Sequence, residues 1–168
     1  VGQAFEQIFA AAPGRIILTT FASNVARWRQ AIDVAARHGR KVAIAGRSLE
    51  DSIEVATELG YLEILPGVLV SLEEARRLEP WKVVLLVTGS QGEPTSVLAR
   101  IAADDHPQIR VGPPDIVVIA ANPVPGNEET VAHTIDNLFR RGARVIYGAL
   151  SEGVHVSGHA SREELREV

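Results

Sequence analysis

The sequence predicts an open, doubly wound α/β domain in which a mainly parallel sheet of five or six strands lies between two layers of helices. Two observations support this fold class. Five short runs rich in Val, Ile and Leu are continuously apolar, which is typical of strands covered on both faces. The stretches between the runs repeat apolar residues at helical spacing. This alternation predicts βαβ units with right-handed crossovers, and therefore a three-layer α/β/α architecture.

The five apolar runs occupy residues 15–20, 41–46, 82–88, 115–120 and 144–148. Their centres contain no polar residue, so neither face of these strands is expected to meet water. The Val-His-Val sequence at residues 154–156 can form a sixth short strand. The runs therefore predict a sheet that lies at the centre of the core.

Residues that commonly cap helices stand between the runs. Ser23 or Asn24 is expected to cap a helix that ends near Gly39, and Ser48 is expected to open the next, with Asp51 at capping-box spacing. Further helices are expected to begin near Gly2, at Ser71 with Glu74, at Pro94 or Thr95, at Asn127, and near Ser161 with Glu164. Each of the five runs is thus separated from the next by at least one helix.

The composition is that of an ordinary globular domain, with 46% of the 168 residues hydrophobic and 23% charged. This length suits one core, so residues 1–168 are predicted to form a single domain. Cysteine is absent, which excludes disulfides, thiolate nucleophiles and Cys-ligated metals. The formal net charge of −4 argues against a strongly basic nucleic-acid module but leaves local basic stripes open. Methionine is also absent and the first residue is Val, which favours an excised or engineered domain.

The loops at the carboxyl ends of the strands are the candidate ligand site, because open parallel sheets bind ligands there. The loop at residues 88–94, Thr-Gly-Ser-Gln-Gly-Glu-Pro, is the strongest candidate. Gly89 and Gly92 allow a ligand to approach the backbone, and Ser90 and Gln91 add donors ahead of a helix. The same residues equally suit a plain strand-to-helix turn, and neither a P-loop nor a dinucleotide fingerprint is present.

A second candidate is the segment His155-Val-Ser-Gly-His159. On an extended chain His155 and Ser157 share a face, and a turn at Gly158 can bring His159 back toward them. Two imidazoles and a hydroxyl can bind a phosphate or donate a proton. From spacing alone a histidine pair of this kind is more often structural, and the ligands for a zinc site are too few.

The other distinctive side chains are expected to serve the fold. The remaining histidines, His38, His106 and His133, are expected to be solvated, and Trp28 and Trp81 are expected to pack. The basic clusters at residues 37–41 and 140–144 are expected to be structural, since cations near helix C-termini interact favourably with the helix dipole.

Four ordered segments resemble the beta-CASP region of bacterial ribonuclease J, and the resemblance extends over essentially the whole chain. They are Phe21-Ala-Ser-Asn-Val, Thr88-Gly-Ser-Gln-Gly-Glu-Pro, Pro123-Val-Pro-Gly-Asn-Glu and His155-Val-Ser-Gly-His-Ala. Members of this family are metallo-beta-lactamase superfamily nucleases in which a beta-CASP domain is inserted into the lactamase domain, with RNA running between the two. The resemblance implies a cytoplasmic RNA-processing hydrolase with 5′→3′ exoribonuclease and endonuclease activity.

The resemblance also implies roles for individual residues. His159 matches a histidine beside the dimetal centre that helps to protonate the leaving group. His155, Ser157 and Gly158 look like part of a pocket for a 5′-terminal monophosphate. The stretch Gly89, Ser90, Gln91 and Gly92, with Glu93 in the same region, is expected to lie along the path of the RNA backbone.

By the same resemblance, the two zinc or manganese ions of the parent enzyme are held by the lactamase domain, whose His-x-His-x-Asp-His motif is missing here. The chain is therefore expected to hold no metal or other cofactor and to be inactive in isolation. Its expected partners are RNA, bound weakly, and the lactamase domain, to which residues 154–168 are expected to return. Apolar surface uncovered by excision favours a homodimer, and no membrane partner is expected.

The chain departs from the family pattern at Ala26, Thr95 and Pro114, where His, Met and Gly are usual. These differences fit either redesign or natural divergence. A redesigned scaffold or a stand-alone binding module without catalysis is therefore an alternative interpretation. A small independent enzyme that uses His155 and His159 as acid and base is another.

Overall fold

The computed structural model describes residues 2–148, in which each strand is separated from the next by one or two α-helices. The helices are α1 (Gly2–Ala11), α2 (Val25–Arg37), α3 (Arg47–Glu58), α4 (Leu72–Arg77), α5 (Val97–Ala102) and α6 (Glu128–Arg140). The strands are β1 (Ile16–Thr19), β2 (Lys41–Ala45), β3 (Val83–Val87), β4 (Ile116–Ile119) and β5 (Arg144–Tyr147), and a 3₁₀ turn (Pro80–Lys82) precedes β3. No helix in this range is both long enough and apolar enough to cross a membrane.

The strands form one parallel sheet in the order β2-β3-β1-β4-β5. The first strand is central, since Ile16 pairs with Val84 of β3 on one side and with Ile116 of β4 on the other. The predicted doubly wound α/β/α fold is therefore confirmed, with five strands among the residues described. The predicted sixth strand at 154–156 and the helix near Ser161 lie outside those residues.

Side chains of the sheet alternate between two cores. Ile16 and Leu18 of β1 belong to the core formed with α1, α2 and α3, whereas Ile17 belongs to the core formed with α4, α5 and α6. All three are fully buried. Burial on both faces is the reason why the strands consist of continuous apolar runs rather than alternating ones.

Three of the predicted helix starts are confirmed: Ser71 and Asn24 cap their helices through side-chain hydrogen bonds, and Asn127 is the N-cap of α6 without a side-chain bond. Ser71 forms a capping box: its Oγ accepts from the Glu74 amide at 3.1 Å, and the Glu74 carboxylate accepts from the Ser71 amide at 2.8 Å. Of the two residues predicted to cap α2, Asn24 is the one used, and its Oδ1 accepts from the Arg27 amide at 3.1 Å. These bonds satisfy amides that have no partner within the helix.

The start of α3 differs from the prediction. The N-cap is Gly46, whose carbonyl accepts from the amides of Leu49 and Glu50 at 3.0 Å each. Ser48 therefore lies within the first turn, and the predicted capping box of Ser48 and Asp51 is wrong. Glycine permits the earlier start, because Gly46 has a φ of +128°.

The fifth helix also begins later than predicted. Ser96, rather than Pro94 or Thr95, is its N-cap, and the Ser96 Oγ accepts from the Ala99 amide at 3.3 Å. The residues before the cap form a turn in which the Ser96 amide donates to the Glu93 carbonyl at 2.9 Å. Two more residues of this segment therefore belong to the loop after β3.

The two tryptophans have opposite environments. Trp28 packs in the core as predicted and is 1% exposed. Trp81 is 47% exposed, so the prediction that it packs is wrong. It lies in the 3₁₀ turn before β3, and the Lys82 Nζ is 4.9 Å from the centre of its ring.

Arg40 joins the end of α1 to the rest of the domain. Its guanidinium donates to the carbonyls of Gly14 and Ala12 at 2.9 Å each and of Phe9 at 3.2 Å. Carbonyls at a helix C-terminus have no partner within the helix, so Arg40 supplies the missing donors. The structural role predicted for the cluster at 37–41 is thus observed, at the C-terminus of a different helix.

Candidate functional site

The carboxyl ends of all five strands meet at one edge of the sheet, because every pair of neighbouring strands is parallel. The strand order places the loops after β2, β3, β1 and β4 side by side along that edge. Ligands of open parallel sheets bind at such an edge. The loop after β3, residues 88–96, is the one that contains the predicted polar and glycine residues.

Two glycines of this loop have backbone conformations that other residues adopt only with strain. Gly89 has a φ of +115° and Gly92 a φ of +71°. A Cβ atom added at Gly89 would lie 2.4 Å from the Ser96 Oγ, and one added at Gly92 would lie 2.6 Å from the Thr130 carbonyl carbon. The loop backbone therefore packs directly against the beginnings of α5 and α6.

Gln91 fastens the loop after β3 to the loop after β4. Its Nε2 donates to the Asn122 carbonyl at 3.0 Å, and its Oε1 accepts from the Val124 amide at 2.7 Å. The Thr130 hydroxyl of α6 donates to the Gln91 carbonyl at 3.3 Å. The side chain thus satisfies backbone groups of a separate loop and holds the two loops in a fixed arrangement.

The structure brings the predicted residues 89–93 together but places them differently with respect to solvent. Ser90 is 4% exposed and Gln91 is 7% exposed, and both glycines are buried. Glu93 is exposed, and its carboxylate accepts from the backbone amide of Gln91 at 3.2 Å. Gln91 therefore shapes the loop, whereas Glu93 is accessible at its surface.

A cleft of about 530 Å³ opens between this loop and the N-terminus of α3. It is lined by Gly46, Arg47, Ser48, Thr88, Gly89, Glu93, Thr95, Ser96, Val97 and Arg100. Its floor is tight, because a Cβ atom added at Gly46 would lie 2.6 Å from the Thr88 Cγ2. The loop with the predicted residues therefore forms one wall of an open, polar cleft.

Two arginines of the cleft were not predicted as site residues. Arg47 is exposed at the first position of α3, and Arg100 lies one turn into α5, where it donates to the Asp105 carbonyl at 3.0 Å. Together with Glu93 they give the cleft two cationic groups and one anionic group. Arg47 comes two residues after the end of β2, in a loop at the carboxyl edge, which is a usable signal in the sequence. Nothing local indicates that Arg100 lines the same cleft.

His106 is buried, so the prediction that it is solvated is wrong. The residue is 8% exposed, and its Nδ1 accepts from the amides of Ile109 at 3.1 Å and Gln108 at 3.3 Å. Burial lowers the pKa of His106 below its ordinary value, and the nearby charges of Arg100 and Arg110 lower it further. The neutral ring is the form that fits, because a protonated Nδ1 cannot accept a hydrogen bond.

The free energy of unfolding is therefore expected to decrease in mild acid because of His106. Because its pKa is lower in the folded chain, the unfolded chain takes up a proton first. The contribution of neutral His106 to the free energy of unfolding is intact above the pKa of the unfolded state, near 6.5. It is lost as the pH falls through the pKa of His106 in the folded chain. In His106→Asn, whose amide oxygen can accept the same bonds, urea unfolding should show less of this acid loss. His133→Asn, at an exposed position, should keep it, and equal losses in both variants would contradict this origin.

The other described histidines do not form a metal site. His38 Nε2 lies 2.7 Å from the Glu6 carboxylate, which also pairs with Arg37, and these hydrogen bonds lower the pKa of Glu6. His38 is thus half-buried and hydrogen-bonded to Glu6 rather than simply solvated, and His133 is exposed as predicted. Between residues 2 and 148 no three His, Asp or Glu side chains converge as metal ligands would. The described residues therefore do not fit a two-metal centre.

The predicted cluster of His155, Ser157, Gly158 and His159 lies outside the described residues, and its roles stay predictions. The described part is an open, parallel α/β/α domain with a glycine-shaped loop beside a cleft at the carboxyl edge of its sheet. These features define the class of open α/β domains that present a ligand-binding edge.

Comparison with known proteins gives the particular family. The model of the family described as ribonuclease J, beta-CASP domain, matches residues 13–138. The chain is 46% identical over 159 residues to a ribonuclease J of Synechocystis, 95% of this chain and 25% of that protein. It is 43% identical over 166 residues to a ribonuclease J of Thermus thermophilus, 99% of this chain and 29% of that protein. It is 41% identical over 152 residues to ribonuclease J2 of Bacillus subtilis, 90% of this chain and 27% of that protein.

The chain belongs to the beta-CASP domain family of ribonuclease J. The resemblance seen in four short motifs is thereby confirmed over most of the length. The chain spans about a quarter of the length of the curated relatives that it matches.

Proposed function

We propose that this domain forms one wall of the RNA-binding cleft of a ribonuclease J-type 5′→3′ exo- and endoribonuclease. The loop at residues 89–93 lies beside the RNA backbone in this proposal, and the lactamase domain forms the opposite wall. The whole enzyme acts in cytoplasmic RNA processing. The isolated domain binds RNA weakly and does not cleave it.

The cleft beside the loop is the observation that carries this proposal. It is open at the carboxyl edge of the sheet, and Arg47 and Arg100 are among its lining residues. The guanidinium of Arg100 is also paired with the Asp105 carboxylate at 3.6 Å, so Arg47 is the main cationic group of the cleft. Guanidinium groups are suited to phosphate oxygens because they present several N–H donors in a fixed plane. With few cationic groups in the cleft, the expected affinity for RNA alone is low and falls with salt.

The remaining roles rest on the resemblance to the family. His155, Ser157 and Gly158 would bind a 5′-terminal monophosphate, and His159 would protonate the leaving group beside the metals. By the same resemblance, the two zinc or manganese ions would be held by the lactamase domain. A metal pair of this kind activates water and neutralises phosphate charge.

An amide titration of the ¹⁵N-labelled chain with a short 5′-monophosphorylated RNA tests the proposal, with the 5′-hydroxyl RNA as the control. Selective shifts at Gly89–Gly92 with both RNAs are expected, together with shifts at Ser157–His159 that only the monophosphorylated RNA causes. A response confined to other surfaces would contradict the proposal. It would favour the alternative of a scaffold or binding module that keeps the fold without the function.

A charge-matched pair of variants tests the role of the cleft. Arg47→Gln is expected to weaken RNA binding several-fold and to reduce the dependence of log K on log salt by about one ion. Arg140→Gln removes the same charge at an exposed position. Arg140 is the last residue of α6 and lies away from the carboxyl edge of the sheet, so this variant should leave RNA binding unchanged. Equal weakening of RNA binding by the two variants would show that binding depends only on the overall charge of the chain.

A further inference from the structure

Apolar side chains are exposed at the C-terminal end of α3. Val55 is 52% exposed, Leu59 is 65% exposed and Tyr61 is 68% exposed. Val55 and Leu59 are one helical turn apart, and Tyr61 follows in the turn that ends the helix, where its backbone amide donates to the Ala56 carbonyl at 2.8 Å. We call Val55, Leu59 and Tyr61 the α3 patch. Contiguous exposed apolar side chains of this kind commonly mark interaction surfaces.

The excess negative charge of the chain is concentrated in the segment that contains this patch. Residues 47–65 contain five of the 21 acidic residues and one of the 17 basic residues, so the rest of the chain has equal numbers of both. The five are Glu50, Asp51, Glu54, Glu58 and Glu63, and all are exposed. None of them forms an ion pair with another residue between 2 and 148. Glu54, Glu58 and Glu63 are the acidic residues nearest the patch along the chain, so the patch is apolar with an acidic border that forms no ion pair among the described residues.

The α3 patch and β5 lie at opposite edges of the sheet. α3 packs against β2, which is one edge of the sheet, whereas β5 is the opposite edge. α1 lies at the β5 edge, since Gln7 and Ile8 line a cavity together with Arg144 and Ile146. Four strand spacings, about 19 Å, separate the two edges. Gln7 and Ile8 of α1 and the end of β5 therefore lie at the edge of the sheet opposite the one against which α3 packs.

We propose that the α3 patch docks a segment of a separate protein whose apolar side chains are bordered by Lys or Arg. Burial of the apolar side chains provides the attraction, and the acidic border selects and steers a basic partner. A symmetric pairing of two copies through this patch is disfavoured, because it would bring the same carboxylates together. RNA is disfavoured for the same electrostatic reason.

Docking here is independent of the cleft. α3 runs back along the sheet from the carboxyl edge, so Arg47 at its start and Leu59 at its end lie at opposite ends of the helix. A 12-residue helix is about 18 Å long, which leaves room for a partner and a cleft ligand to bind at once. The proposal therefore holds whether or not the cleft binds RNA.

Three synthetic amphipathic helices of about 15 residues test the proposal by amide titration of the ¹⁵N-labelled 168-residue chain. One has Leu on its apolar face and Lys on its flanks, the second replaces Lys with Glu, and the third replaces Leu with Ser. The Leu/Lys peptide is expected to shift amides of residues 54–65, with the other two binding at least tenfold more weakly. Equal binding of the Ser/Lys peptide, or no shift in 54–65, would overturn the proposal.

Variants locate the binding surface. The double variant Leu59→Ser and Tyr61→Ser should weaken binding of the Leu/Lys peptide at least tenfold, while Val124→Ser and Phe139→Ser, at other exposed apolar positions, should not. Equal weakening by both pairs would contradict docking at this patch. So would RNA shifting the amides of residues 54–65, or shifts there that grow with protein concentration alone, since these outcomes would assign the patch to RNA or to a second copy.

Discussion

A Gly92→Ala variant is expected to lose about 4 kcal/mol of unfolding free energy. Alanine at a φ of +71° is strained by itself, and its Cβ would lie 2.6–2.7 Å from the backbone carbon and oxygen of Thr130 and the amide nitrogen of Val131. These are backbone atoms of α6, so they cannot move aside as the end of a side chain can. Urea unfolding followed by the fluorescence of the buried Trp28 measures the loss.

Gly60→Ala separates the two causes of this loss. Gly60 has a similar φ of +75°, but a Cβ added there meets no heavy atom within 4 Å. The substitution should therefore cost only the conformational part, about 1 kcal/mol. If both variants were equally stable, the close packing of the loop on α6 would not persist in solution. The Gly92 variant should also lose the RNA response of residues 89–92 that is expected of the unmodified chain.

Arg40→Met is expected to cost about 4 kcal/mol, because the carbonyls of Phe9, Ala12 and Gly14 would keep no donor in its place. Arg40 is 5% exposed, and burial lowers the pKa of its guanidinium from the usual value. Methionine fills much of the same space, so the loss reports on the hydrogen bonds more than on a cavity. Chemical unfolding monitored by circular dichroism measures it.

Arg29→Met is the matched control for the loss of one charge. Arg29 is exposed on α2 and lies 3.9 Å from Asp33, an exposed pair of the kind that contributes less than about 0.5 kcal/mol. Arg40→Lys keeps the charge but cannot reach three carbonyls with the same geometry, so its stability should be intermediate. A small effect of Arg40→Met would show that the carbonyls find water instead.

The strands were predictable from the sequence almost to the residue, and their order was not. The run at 82–88 contains β3, Val83–Val87, because burial on both faces leaves a continuous apolar signature. The neighbours of Ile16 are Val84 and Ile116, however, and no local pattern links residues so far apart. Helix starts fall between these cases: the Ser71 capping box was predictable, but Gly46 took the place expected for Ser48.

The position of the candidate loop was predictable from the sequence, but the hydrogen bonds that hold the loop in place were not. Glycines after a buried strand indicate a tight loop at the carboxyl edge, and this holds for Gly89 and Gly92. The role of Gln91 depends on partners 31 and 33 residues away, which the sequence does not identify. The burial of His106 is equally invisible, since a histidine in a polar stretch gives no sign that its ring accepts two amides.

The strand order has a consequence for synthesis on the ribosome. β1 is made early, but its two neighbours, β3 and β4, emerge only when residues 83–87 and 116–119 have been added. Until β3 has been made, β1 has no native partner strand, because the next strand along the chain, β2, pairs with β3 and not with β1. Sheets with such distant pairings fold slowly and expose strand edges while they do so. A nascent chain that stalled before residue 116 would have its central strand open on one side, and chaperone binding at that stage would protect it from aggregation.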